Sequence, residues 1–152
     1  MFDTNALNAL LDEGVNEASL PEAEYLCTNL QYAELQHTKN LARRSELTNK
    51  FSVVVSATNT ERVMQRSTPW GSPWNSPWDQ GGSHYQNVLT QLELRKPRDR
   101  GNSYDAVLIE TCIYEGIIFV SNDSAVRDVC GMVNVRSVSL QEFLNGRRAQ
   151  AV

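Results

Sequence analysis

Hydrophobic positions along the chain fall into short alternating blocks of helical and extended character. From Asn5 to Leu11 the leucines at 7, 10 and 11 recur at i, i+3 and i+4, and Gly14 stands where such a helix would stop. Tyr25-Leu26-Cys27 reads as a short strand, and Thr28-x-x-Gln31 has the capping-box spacing that opens a helix. That helix is expected to run to about Leu47, with Leu30, Ala33 and Leu41 inward and Lys39, Arg43, Arg44 and Glu46 in water. Phe51 to Ser56 is β-branched and fits either a strand or a buried helical turn. His84 to Lys96 is helical in pattern, with Val88, Leu89 and Leu92 on one face.

The last third is the most regular. Asn102 and Ser103 are N-cap candidates, and Asp105, Leu108, Ile109 and Cys112 follow at i, i+3, i+4 and i+7, with Gly116 as the stop. Ile117 to Val120 is the continuous apolar run expected of a central parallel strand, with Asp123 just past its end. A further strand is expected over Met132 to Val138. Ser139-x-x-Glu142 then caps a final helix to Leu144. Strands alternating with helices predict an α/β fold with a mostly parallel sheet.

Residues 67–83 break this rhythm. Pro-Trp recurs every four residues, placing Trp70, Trp74 and Trp78 in a Pro- and Gly-punctuated insertion. A packing or partner role is expected for these tryptophans, because Trp is enriched at interfaces.

Composition narrows the class without naming it. The chain has 152 residues, 41% hydrophobic and 21% charged, which suits one globular domain. No apolar run approaches the ~20 residues a spanning helix needs, and the N-terminus lacks the basic region of a signal peptide, so a cytoplasmic protein is expected. Cys27, Cys112 and Cys130 are odd in number and lack CxxC spacing, so buried free thiols are expected rather than zinc or disulfides. The formal net charge of −4 excludes binding to nucleic acid through a broad basic field, but not phosphate binding through cations.

Four acids stand out by position. Asp3 and Asp123 follow strands, where ligand sites of open α/β sheets lie. Asp105 lies in the first turn of a helix on its inward face, and Glu34 is one turn into the helix opened by Thr28. Singly, each is accounted for as a cap or turn residue. Together they repel: two unit charges about 4 Å apart at an effective dielectric near 20 cost about 4 kcal/mol. Such a cluster needs cations or raised pKa values, and oxygen ligands suit Mg²⁺ or Mn²⁺ rather than zinc.

Four segments carry a resemblance to PIN-domain nucleases. They are Phe2-Asp3-Thr4-Asn5, then Asn29-Leu-Gln-Tyr-Ala-Glu34-Leu35, then Tyr104-Asp105-Ala106 with its apolar helix, and finally Phe119-Val120-Ser121-Asn122-Asp123. Their order covers nearly the whole chain apart from the tryptophan segment, and the length is similar to VapC-type toxins of toxin–antitoxin pairs. The resemblance implies a three-layer α/β/α domain over residues 1–146 with four or five short, mostly parallel strands, and a short tail over 147–152. It implies metal-dependent hydrolysis of RNA, with Asp3, Asp105 and Asp123 as ligands of Mg²⁺ or Mn²⁺. Glu34 would be either a ligand through water or an orienter of the nucleophile, with Asn5 and Ser121 as supporting donors. RNA, a cognate antitoxin and a second copy of the chain are the partners it implies.

Weaker candidates surround this set. Arg95, Lys96, Arg98 and Arg100 form a basic run that could meet RNA phosphates or be a solvated helix end. Glu110 and Asp128 are further acids that helix-surface positions would explain, and His84 is expected to be structural. The aspartyl phosphatase pattern fails because Asp3 is followed by Thr4 and Asn5 rather than by a second acid two positions on. A receiver domain fails because Lys96, the last lysine, precedes the third acid.

Overall fold

The computed structural model describes residues 1–58, 60–69 and 84–150, the last four by their helical backbone alone. Trp70, Trp74 and Trp78, with most of the expected insertion, lie outside the described residues.

Local signals start most elements. Helix α1 (Thr4–Asp12) is capped by Asp3, whose Oδ1 accepts from Ala6 N at 2.6 Å, and it buries Ala6, Leu7 and Leu10. Gly14, at φ +60°, supplies the left-handed turn that ends it. Strand β1 (Tyr25–Cys27) leads into α2 (Asn29–Gln36) through the expected capping box: Thr28 Oγ1 accepts from Leu30 N at 3.2 Å, and Thr28 N donates to Gln31 Oε1 at 2.7 Å. Thr28→Ala should therefore cost about 1 kcal/mol. A lower denaturant midpoint with an unchanged slope would show it.

The expected continuation of this helix to Leu47 is corrected. The helix stops at His37, and α3 (Leu41–Ala57) begins anew from Asn40, whose Oδ1 accepts from Arg43 N at 3.0 Å. Arg44 locks the corner by donating from Nε and Nη2 to the Thr38 carbonyl at 2.9 and 2.8 Å. Ala33, before the break, and Leu41, at the new start, face outward, whereas with the phase reset Leu47, Phe51 and Val54 point inward at i, i+4 and i+7. The ambiguous Phe51 to Ser56 stretch is thus helix.

A short strand that the sequence pattern did not mark, β2 (Thr60–Arg62), pairs in parallel with β1, Tyr25 opposite Thr60. Helix α4 (His84–Arg95) packs on α5 (Asn102–Glu115), which is buried on nearly every side from Asp105 to Cys112. Gly116, at φ +65°, closes α5 as expected. Its N-cap is Gly101 rather than Asn102 or Ser103; Asn102 instead donates from Nδ2 to the Lys96 carbonyl at 2.8 Å.

Strand β3 (Phe119–Val120) is followed by α6 (Ser124–Met132), then β4 (Ser137–Val138) and α7 (Leu140–Gln150). The strand expected over Met132 to Val138 shrinks to its last two residues. Val126, Val129 and Cys130 have helical spacing and fill the core, so Met132 ends α6 and Asn134 turns at φ +59°. The second capping box is present, with Ser139 N donating to Glu142 Oε2 at 2.7 Å. Helix α7 continues past Leu144 into residues expected to be tail.

The result is a mixed α/β structure rich in helix. Its described strands pair in parallel as two two-stranded sheets, β1–β2 and β3–β4, rather than as one sheet of four or five strands. Each strand is two or three residues long, at or below the short end of the usual range. Phe2 bridges Val120 in parallel, with Asp3 N donating to Val120 O at 3.0 Å and Val120 N to Met1 O at 2.8 Å. The three cysteines are free and buried, as expected. Among the described residues no helix is long and apolar enough to cross a membrane.

Candidate functional site

The backbone brings the four acids to one place from four elements. Asp3 follows the Phe2 bridge and caps α1; Glu34 projects from α2; Asp105 stands in the first turn of α5; Asp123 follows β3 and caps α6. The register of α2 is fixed on this side, because Gln31 Nε2 donates to the Phe2 carbonyl. Three residues further along, Glu34 accepts from the Thr4 hydroxyl. The capping box that starts α2 thereby also aims Glu34.

The two capping aspartates divide their oxygens in the same way. Asp3 Oδ1 accepts from Ala6 N, while Oδ2 is buried without a hydrogen-bond partner among the described residues. Asp123 Oδ1 accepts from Ala125 N at 2.9 Å and Val126 N at 3.3 Å, leaving Oδ2 free of its helix. Ser121, fully buried, accepts at Oγ from Asp123 N at 3.1 Å, and its hydroxyl also favours the charged form of Asp3.

Burial dominates the electrostatics. It pushes Asp3 up to about 6, against the opposing effect of Ser121 and Ala6 N, with the Glu34 and Asp123 charges adding to the rise. Burial likewise pushes Asp105 up to about 7 despite the nearby Lys96 ammonium, with Asp3 and Asp123 again contributing. Glu34 is raised by burial, which the Thr4 hydroxyl opposes. Asp123 differs: burial raises it, but Lys96 and the two α6 amides more than offset this and leave it below the usual range.

Lys96 is the cation at the centre of this cluster. Its Nζ lies 2.9 Å from Asp123 Oδ2, 3.2 Å from Asp105 Oδ2 and 3.2 Å from Asp99 Oδ2. Of the four basic candidates, only Lys96 enters the site. Arg95 folds back onto Gln91 O at 3.1 Å and reaches Met132 Sδ at 2.9 Å, while Arg98 and Arg100 are exposed. Pro97 was the available signal: it disfavours helix at Lys96 and so ends α4 there.

The other candidates sort by contact. Asn5 is exposed, and its neighbour Thr4 is the residue that meets an acid. Glu110 is corrected from a surface position: it is buried, and its Oε1 accepts from Tyr85 N at 3.1 Å in the first turn of α4. Asp128 is exposed. His84 packs its ring edge-on against Tyr114, with centroids 5.4 Å apart.

Among the described residues, no three His, Cys, Asp or Glu side chains stand in a ready-made cage for a metal ion. Lys96, inserted between Asp105 and Asp123, accounts for the arrangement as it stands. The donor set nevertheless suits a hard divalent cation: the acids offer oxygen only, and among the described residues Asp3 Oδ2 is buried without a hydrogen-bond partner. Neither a protein-family model nor a curated protein matches the chain.

Proposed function

We propose that the chain is a divalent-metal-dependent endoribonuclease of PIN-like type, acting as the toxin of a toxin–antitoxin pair. The observation that carries this reading is the convergence of Asp3, Glu34, Asp105 and Asp123, with an inward-facing and unpartnered Asp3 oxygen. The connectivity supports the finer fold. Phe2 is bridged to Val120 and stacked on Tyr25 with centroids 5.8 Å apart, an arrangement compatible with a parallel order β2, β1, Phe2, β3, β4.

Asp3, Asp105 and Asp123 would hold Mg²⁺ or Mn²⁺, and Glu34 would orient the attacking water through its Thr4-braced carboxylate. When bound, the cation supplies an activated water and neutralises charge on the cleaved phosphate. Ser121 braces the backbone of Asp123 and faces Asp3, so it fixes where both carboxylates point. Asp105 holds a proton near neutrality and must release it for a cation to bind. A cytoplasmic location, a homodimer and an antitoxin partner belong to the same proposal.

A non-catalytic PIN-like interaction module is the second reading, favoured by Lys96, which already neutralises part of the cluster. Metal removal separates the two. Purified protein with Mn²⁺ should cleave labelled single-stranded RNA, lose this activity in excess EDTA, and regain it when Mn²⁺ is restored. Cleavage that persists in EDTA would overturn the metal-dependent reading, and calorimetry showing no Mn²⁺ binding would favour the module.

A further inference from the structure

Each capping aspartate reserves one oxygen for its helix and turns the other inward. On Asp3 the inward oxygen is unpartnered, whereas on Asp123 it is the oxygen that Lys96 holds at 2.9 Å. Lys96 also holds Asp105 Oδ2. A cation using all three aspartates therefore has to take Asp123 Oδ2 and compete for Asp105 with an ammonium already in place. We propose that Lys96 is a built-in counter-cation that a divalent ion must displace, so that this one side chain sets the metal affinity of the acid cluster. The inference rests on the metal-dependent reading above.

The surroundings of Lys96 suit displacement. Its backbone is anchored, with N donating to Leu92 O at 2.7 Å and its carbonyl accepting from Asn102 Nδ2 and from Asp99 N at 3.2 Å. The four-carbon stem beyond that anchor has rotatable bonds through which the ammonium can be redirected, and its side chain is 16% exposed. Asp99 supplies the alternative partner: its carboxylate touches the same ammonium at 3.2 Å, but its side chain is 43% exposed against 12% for Asp105. Pushed outward, the ammonium keeps Asp99 while surrendering Asp105 and Asp123.

The test titrates Mn²⁺ alone into the full chain by calorimetry, at fixed low ionic strength, for the parent protein, Lys96→Met and Lys96→Arg. Lys96→Met removes the competing charge and should bind Mn²⁺ about tenfold tighter or more, while Lys96→Arg keeps the charge and should stay within about threefold of the parent. Should Lys96→Met fail to fold without metal, Lys96→Gln carries the same expectation. Equal or weaker binding by the uncharged variants overturns the role of Lys96 while leaving the metal site standing. Absence of Mn²⁺ binding in every variant overturns the metal-dependent reading, and this inference with it.

Discussion

Asp3→Asn should reduce Mn²⁺-dependent RNA cleavage by at least about 100-fold and yet raise the stability of the metal-free protein. The two effects have one cause. Asp3 is 1% exposed, and burial lifts its carboxyl to about 6, so at pH 7.5 the folded chain carries an ionised group in a poorly solvated place beside two other acids. An amide keeps the cap, because Asn accepts from Ala6 N as well as Asp does, while the charge is removed. From a shift of this size the gain is of order 3 kcal/mol. The loss of activity follows from the same oxygen: Oδ2 is the inward-facing donor that a cation would use, and an amide in its place binds Mg²⁺ or Mn²⁺ poorly. Urea denaturation in EDTA and a cleavage assay at saturating Mn²⁺ read the two effects separately. Retained cleavage would remove Asp3 from the metal site; an unchanged or lower denaturation midpoint would show that the buried charge is tolerated by some other means.

The parts of this structure that were legible in the sequence are those decided within four or five residues. The Thr28–Gln31 and Ser139–Glu142 boxes, the Gly116 stop and the leucine spacing of α1 each depend on bonds between near neighbours, and each stands as read. The helix break at His37 to Asn40 was hidden because apolar residues on both sides continued a plausible period. What resets it is an Asn40 cap and an Arg44 side chain reaching back to Thr38. The strand expected over Met132 to Val138 was shortened to Ser137–Val138, because the helical face of Val126, Val129 and Cys130 carries α6 as far as Met132 and Asn134 then turns the chain. Asp3, Asp105 and Asp123 could be picked out because strand ends and helix starts mark where carboxylates gather, whereas Glu34 is marked by the motif resemblance more than by its position. Their two closest partners could not. Thr4 meets Glu34 across 30 residues, and Lys96 meets Asp123 across the whole of α5, so neither pairing leaves a local pattern.

The metal-free protein should lose stability as pH rises from about 5 to 7.5, and saturating Mn²⁺ should offset much of that loss. Asp3 and Asp105 titrate in the folded chain near 6 and 7, above their ordinary value of 3.8. Between those limits the folded state therefore binds more protons than the unfolded state, and stability falls as pH climbs through the window. Asp123 has the opposite sign: its depressed carboxyl contributes stability that is present above the ordinary aspartate value and is lost only as pH falls below it. The two signs together place the optimum of the metal-free protein on the acid side of neutrality, with a loss of order 4 kcal/mol by pH 7.5. A divalent cation changes the balance because it binds the ionised carboxylates and expels the protons they hold. Mn²⁺ at a hundred times its dissociation constant adds about 2.7 kcal/mol, and more of this is realised at pH 7.5 than at pH 5, where protons compete for the same oxygens. Denaturation midpoints at the two pH values, each in EDTA and in Mn²⁺, give the four numbers needed. A metal-free midpoint that rises toward pH 7.5 would show that Asp3 and Asp105 ionise without cost. A Mn²⁺ stabilisation independent of pH would place the bound ion away from these two acids.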